Sequence, residues 1–126
     1  AELKYGKLMA LEKQLKEVKE IILNEWGLAG EGFAKRACPV DSGRLRGSIN
    51  YATTKVVGKV ESPAEPKDGI GKGEVPDEMT VVIGTNVEYA AYVELGTSRM
   101  AARPYLSTAI QNHMDEYRQI MEYRLT

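Results

Sequence analysis

Apolar residues recur along the chain in two different rhythms. Leu8, Leu11, Leu15, Val18 and Ile22 follow one another at alternating spacings of three and four. The opposite face carries Lys7, Glu12, Lys13, Lys16, Glu17, Lys19 and Glu20. This is the pattern of an amphipathic helix close to a heptad repeat. Oppositely charged neighbours four apart, such as Glu12 and Lys16, support it modestly. The stripe continues less regularly through Trp26, Ala29, Phe33 and Ala37. One long helix is therefore predicted over residues 1–38, stopping before Pro39. Gly27, Gly30 and Gly32 fall in its second half, and each costs a helix about 1 kcal/mol relative to alanine. The helix is expected to survive there by packing, with a bend, and its small residues would let a neighbouring element approach closely.

Beyond Pro39 the rhythm changes. PVDSGRLRGSI, residues 39–49, predicts a short helical turn capped by Asp41 or Ser42 and anchored inward by Leu45 and Ile49. INYATTKVVGKV, residues 49–60, is rich in β-branched residues and reads as a strand, as does MTVVIGT, residues 79–85. Between them, residues 62–78 hold Pro63, Pro66, Pro76, Gly69, Gly71 and Gly73 with no apolar period. They predict a long flexible loop at the tip of an antiparallel hairpin, of the kind that usually carries function. Removing residues 64–74 is expected to spare the fold. VEYAAYVELGT, residues 87–97, predicts a short helix with Tyr89, Ala90, Val93 and Leu95 facing inward, ended by Gly96 in a left-handed conformation. Pro104 suits the first turn of a final helix. Leu106, Ile110, Met114, Tyr117 and Met121 mark its apolar face, joined by Ala109 and Ile120. The sum is a single α+β domain over residues 1–126, with the long N-terminal helix and the C-terminal helix packed on a small antiparallel β-sheet.

Composition narrows the function. A chain of 126 residues suits one domain. Seventeen Lys and Arg balance 18 Asp and Glu, without the basic excess of a dedicated nucleic-acid binder. The one cysteine, Cys38, and the one histidine, His113, exclude an internal disulfide, a cysteine zinc site and a poly-histidine metal site. No apolar run approaches the roughly 20 residues of a membrane span, so no membrane is expected as a partner. The charged N-terminus lacks the apolar centre of a signal peptide, and cytosolic synthesis is expected.

Candidate chemistry is sparse. Gly69-Ile70-Gly71-Lys72-Gly73 has the composition of a phosphate-cradling loop but neither the spacing nor the following helix of one. It reads as loop, with Lys72 left to meet an acidic partner. His113 has no partner at a fixed spacing and reads as a packed or half-exposed helix residue. Cys38 ends an apolar stripe and reads as a buried small hydrophobe. Trp26 and most tyrosines read as core, with Tyr89 or Tyr92 left to face a partner. Glu88 and Glu94 suit ion pairs better than acid–base work. No cofactor, no metal and no catalysis are expected. Arg44 and Arg46 flank Leu45, and Arg99 and Arg103 flank the loop before the final helix. Such residues are commonly solvated, but arginine is also the residue of choice for bidentate contacts to carboxylate or phosphate.

Three segments together resemble a known family. Pro39 to Ile49 (PVDSGRLRGSI) is similar to its "P-V-D-T/S-G-x-L-R-x-S-I" segment. Tyr89 to Thr97 (YAAYVELGT) is similar to "Y-A-x-Y-V-E-F-G-T", and Arg99 to Leu106 (RMAARPYL) to "K-M-x-A-R-P-F-L". The family is that of the small head–tail joining, or tail-completion, proteins of long-tailed bacteriophages and prophages. The resemblance covers roughly residues 8–122, in order. Leu95 stands where phenylalanine is more usual, and Ala101 where proline is frequent. The 62–78 loop carries no family motif.

The resemblance implies a virion structural protein of the neck: a homo-oligomer forming a sixfold ring that connects the head-completion complex to the tail tube. Adjacent head-completion and tail-terminator or tail-tube proteins would be its neighbours, and DNA would pass through the channel without sequence-specific binding. A head-to-tail ring needs two different complementary surfaces on each subunit. Mixed charge with little net charge suits such register-fixing contacts. A loop that orders on docking is compatible with a subunit that is monomeric until it reaches the assembling neck. On this reading Arg44, Arg46, Lys72, Arg99 and Arg103 are interface candidates, with Glu94 a partner for the arginines. Other readings are a DNA-binding accessory module, which predicts salt-sensitive DNA affinity, a minor tail component, and an interaction protein using its N-terminal heptads as a coiled coil.

Overall fold

The computed structural model describes residues 2–39 and 43–125, with side chains from Lys13 onward. The first helix, α1, spans Glu2–Ala37 without interruption. Its 36 residues reach about 54 Å at 1.5 Å per residue. Lys35 and Arg36 in its last turn complement the carbonyl end of the helix dipole. The helix passes straight through its glycines because the sheet packs on them. A Cβ on Gly27 would sit 2.3 Å from Cδ2 of Tyr51, and one on Gly30 would sit 2.0 Å from Cδ1 of Ile83. Gly32 meets only the tip of Arg36 at 3.8 Å and has no such reason to be glycine.

Gly27→Ala therefore sets local propensity against packing. Alanine gains about 1 kcal/mol of helix propensity. The Tyr51 ring cannot give way, because a Cβ on Gly58 would lie 2.8 Å from its other edge and its hydroxyl is bonded to Asn24 Oδ1. Net destabilisation of about 1–3 kcal/mol is expected in urea unfolding. A variant more stable than the parent would show that the Tyr51 contact does not control this position.

After α1 come α2 (Arg44–Ser48), β1 (Asn50–Ala52), a single 3-10 turn (Lys72–Glu74), β2 (Val82–Gly84), α3 (Ala90–Leu95), α4 (Tyr105–Gln111) and α5 (Met114–Leu125). The predicted caps Asp41 and Ser42 lie outside the described residues; α2 begins after Gly43, whose φ is +79°. The strands pair antiparallel, Asn50 opposite Gly84, Tyr51 opposite Ile83 and Ala52 opposite Val82. The fold is thus α+β, as the patterning predicts.

Both strands are shorter than the β-branched runs suggest. After Ala52 the chain turns back on itself. Thr53 Oγ1 accepts the backbone N–H groups of Lys55 and Val56 at 3.2 and 3.0 Å. The N–H of Gly58 returns to the carbonyl of Tyr51 at 2.8 Å. A threonine that bonds its own downstream backbone competes successfully with the ladder.

The core gathers Ala34 and Cys38 of α1, Leu45 of α2, Ile49, Val87, Ala90 of α3, and Tyr105 and Ala109 of α4. Tyr105 is the largest fully buried side chain. The inward face of α4 is thus Tyr105 and Ala109, and Ile110 and Met114 are 47% and 54% exposed instead of inward. The predicted single final helix is broken at Asn112–His113. There the imidazole of His113 stacks on Phe33 of α1, centroids 3.6 Å apart, and the Tyr117 hydroxyl donates to the Ala109 carbonyl at 2.7 Å. Pro104 stands one position before the helix instead of in its first turn. Leu95, expected inward, is 77% exposed; Tyr89 and Val93 pack on the core as expected.

Candidate functional site

The loop between the strands is docked over its first half. Asn50, 1% exposed, is the main clamp. Its Nδ2 donates to the carbonyls of Gly58 and Ile70 at 3.1 and 2.9 Å, and its Oδ1 accepts the Ile70 N–H at 2.8 Å. Asn86 does the same from the other side, accepting the Gly69 N–H at 2.7 Å and donating to Lys67 O at 2.9 Å. Arg44 supplies a third tie. Its guanidinium forks onto Asp68, Nε to Oδ2 at 3.0 Å and Nη2 to Oδ1 at 3.1 Å, and reaches Glu88 at 3.2 Å through Nη1. The Asp68 carboxyl is held below the usual carboxylate range, first by Arg44 and then by the Glu65 backbone N–H.

These bonds tie residues 67–70 of the expected flexible 62–78 loop to the body. Residues 61–63, 65–67, 71–74 and 76–79 are exposed, while Asp68 and Val75 are buried. The bonds also argue against residues 64–74 being dispensable for folding. Those residues contain Asp68 and Ile70, and their loss would strip Arg44 and the buried Asn50 of partners.

The six candidate contact residues divide into two groups. Arg44 and Glu94 hold their own chain together. Glu94 Oε1 accepts the backbone N–H groups of Leu106 and Ser107, at 3.0 and 2.8 Å, and so satisfies the first turn of α4 from α3. Arg46, Lys72, Arg99 and Arg103 are exposed. The groups weighed for chemistry are engaged in packing. His113 Nδ1 lies 2.6 Å from Glu116 Oε2 while its ring stacks on Phe33. Cys38 is buried, which pushes its thiol up to about 11. Among the described residues no cluster of His, Cys, Asp and Glu could hold a metal, and no helix is long and apolar enough to cross a membrane.

Two apolar faces stand out at the surface among the described residues. The first surrounds the α3–α4 connection. Gly96, at φ +78°, turns the chain so tightly that a Cβ there would lie 2.7 Å from the Ala102 nitrogen. The turn exposes Tyr92, Leu95 and Met100 beside Arg99 and Arg103. Tyrosine, methionine and arginine around an apolar centre are the residues enriched in protein interfaces.

The second face is a groove between α1, β2 and α5. Trp26, Ile83, Ile110, Met114, Tyr117 and Met121 line a cavity of about 350 Å³. It continues past Trp26 and Met121 into a second hollow of about 170 Å³ that reaches Leu15 and Leu125. The Trp26 indole donates to the Tyr117 carbonyl at 2.8 Å, fixing the wall. Sequence reading assigned this face to the core. The available signal was that α4 and α5 carry more apolar positions than one inward stripe can use.

A family model described as "Bacteriophage HK97-gp10, putative tail-component" matches residues 5–96. The matched span runs from α1 through α3 and takes in the PVDSGRLRGSI segment and all but the last residue of YAAYVELGT; the RMAARPYL segment lies beyond it. Comparison with curated proteins and with solved structures gives no match.

Proposed function

Because the chain belongs to the HK97-gp10-like family of bacteriophage tail components, we propose that it is the tail-completion, or head–tail joining, subunit of the phage neck. In this reading it is a virion structural protein without catalysis. Copies assemble into a ring between the head-completion complex and the tail tube, and DNA passes through the channel without base-specific contacts. The observation that best supports the reading is the pair of chemically different exposed faces. One is the Tyr92–Leu95–Met100 face with its arginines, and the other is the groove lined by Trp26, Ile110 and Met114. A subunit that joins unlike neighbours, or unlike sides of like neighbours, needs two such surfaces. Arg46, Lys72, Arg99 and Arg103 are exposed and would set register at these contacts by charge complementarity.

Electron microscopy of particles made without this gene tests the proposal. Filled heads beside separate, full-length tails are expected. Normally joined particles would remove the joining role and favour the minor tail component.

A further inference from the structure

Asp68–Gly69 is the chain's one aspartate or asparagine followed by glycine. The fold requires each residue for its own reason. Asp68 is the carboxylate onto which Arg44 forks. Gly69 stands at φ +102°, and a Cβ there would lie 2.6 Å from Cγ1 of Val60. Together they form a dipeptide prone to isomerise. With no side chain on the second residue to obstruct it, the Gly69 nitrogen can attack Cγ of Asp68. The N–Cγ bond forms and a Cγ–O bond of the protonated carboxyl breaks, that oxygen leaving as water with the N–H proton. Water then opens the resulting succinimide at the former main-chain carbonyl. The product is isoaspartate, in which the chain runs through Cβ and Cγ.

The docked loop opposes each part of this reaction. The nucleophile is engaged, because the Gly69 N–H donates to Asn86 Oδ1 at 2.7 Å. The carboxylate is engaged through both oxygens. Oδ2 accepts Arg44 Nε and the Glu65 N–H, each at 3.0 Å, and Oδ1 accepts Arg44 Nη2 at 3.1 Å. These bonds aim the carboxylate at Arg44 and Glu65 and keep it charged. Ring closure needs it protonated and swung onto the Gly69 nitrogen. The Asp68 side chain is only 4% exposed, so packing resists that swing. Asn50 fixes the next residue through both backbone groups of Ile70.

We propose that Asp68–Gly69 is a latent isoaspartate site, kept unreactive by Arg44 and Asn86 and released when the loop undocks. The product cannot dock again in the same way. Its main chain is one atom longer and its carboxylate sits one bond nearer the backbone, so the Arg44 fork and the bonds to Asn50 and Asn86 no longer form together. A transient opening of the loop is thereby converted into a permanent one.

The test ages the full chain at neutral pH and physiological temperature. Isoaspartate at residue 68 is read by enzymatic methylation of the isoaspartyl carboxyl and by peptide mapping with electron-transfer fragmentation. The reference is the same chain held unfolded in guanidinium chloride. The folded parent is expected to isomerise at least about tenfold more slowly than the reference, because reaction is confined to the open fraction of molecules. Arg44→Gln and Asn86→Ala should each raise the folded rate several-fold, with circular dichroism confirming that the variant is folded. Asn86 is exposed, so its variant keeps the test intact if Arg44→Gln does not fold. A folded parent that isomerises as fast as the unfolded chain overturns the proposal. So does either variant that is folded and isomerises no faster than the parent.

Discussion

Tyr105→Ala is expected to destabilise the protein by about 3–5 kcal/mol, the range for truncating a large buried aromatic residue. Tyr105 is fully buried at the meeting point of α1, α2, α3 and α4, among Ala34, Cys38, Leu45, Ile49 and Ala90. Several of these neighbours are small, and none can extend into the space a ring leaves. The variant loses the transfer free energy of the ring and keeps the cavity. Domains of this size are stable by only about 5–15 kcal/mol, so the melting temperature should fall on the order of 10–20 °C. Tyr105→Phe separates the ring from its hydroxyl. The hydroxyl donates to the Ala90 carbonyl at 3.3 Å, a long bond, and its loss should cost about 1 kcal/mol or less. Urea unfolding of both variants decides the matter. If the alanine variant lies within 1 kcal/mol of the parent, the core is organised around something other than this ring.

The second large effect is expected at Asn50. Asn50→Ala removes three hydrogen bonds and leaves the Gly58 carbonyl and both backbone groups of Ile70 without that partner. Stability should fall by about 2–4 kcal/mol, because unsatisfied buried polar groups cost more than the net value of the bonds they made. The loss should be local as well as global. Amide exchange at Gly69 and Ile70 should accelerate far more than in α4. Asn50→Asp should be worse at neutral pH, since it sets a carboxylate against two carbonyl oxygens in a site that is 1% exposed. Acidification should partly restore it by supplying a proton to donate. Unchanged exchange in the 58–70 segment of the alanine variant would show that Arg44–Asp68 and Asn86 suffice to hold the loop.

These two residues mark where sequence reasoning reaches its end. Asn50 sits inside a β-branched run, and nothing in its neighbours reveals that its partners lie 8 and 20 residues away. The same holds for Arg44, which forks onto Asp68 across 24 residues. A polar side chain names what it can bond but not which backbone will come within reach. The flexible reading of residues 62–78 follows from their composition and takes no account of the long-range bonds that tie residues 67–70 to the body. The final helix failed for a related reason. Two apolar stripes compete for one inward face, and stacking of His113 on Phe33 settles the competition by breaking the helix.

By itself the sequence determined the features that arise from local periodicity and backbone stereochemistry. These are the long helix up to Pro39, the antiparallel pairing within the two β-branched runs and the positive-φ turn at Gly96. It also determined the family, because the matched span records the α1-to-α3 pattern in residue order. Tertiary structure alone decided that Gly27 and Gly30 are seats for Tyr51 and Ile83, that Arg44 and Glu94 serve their own chain, and that Ile110 and Met114 line an open groove. Each of these depends on which distant surface arrives opposite a residue, and packing geometry, unlike periodicity, is not a property of any one segment.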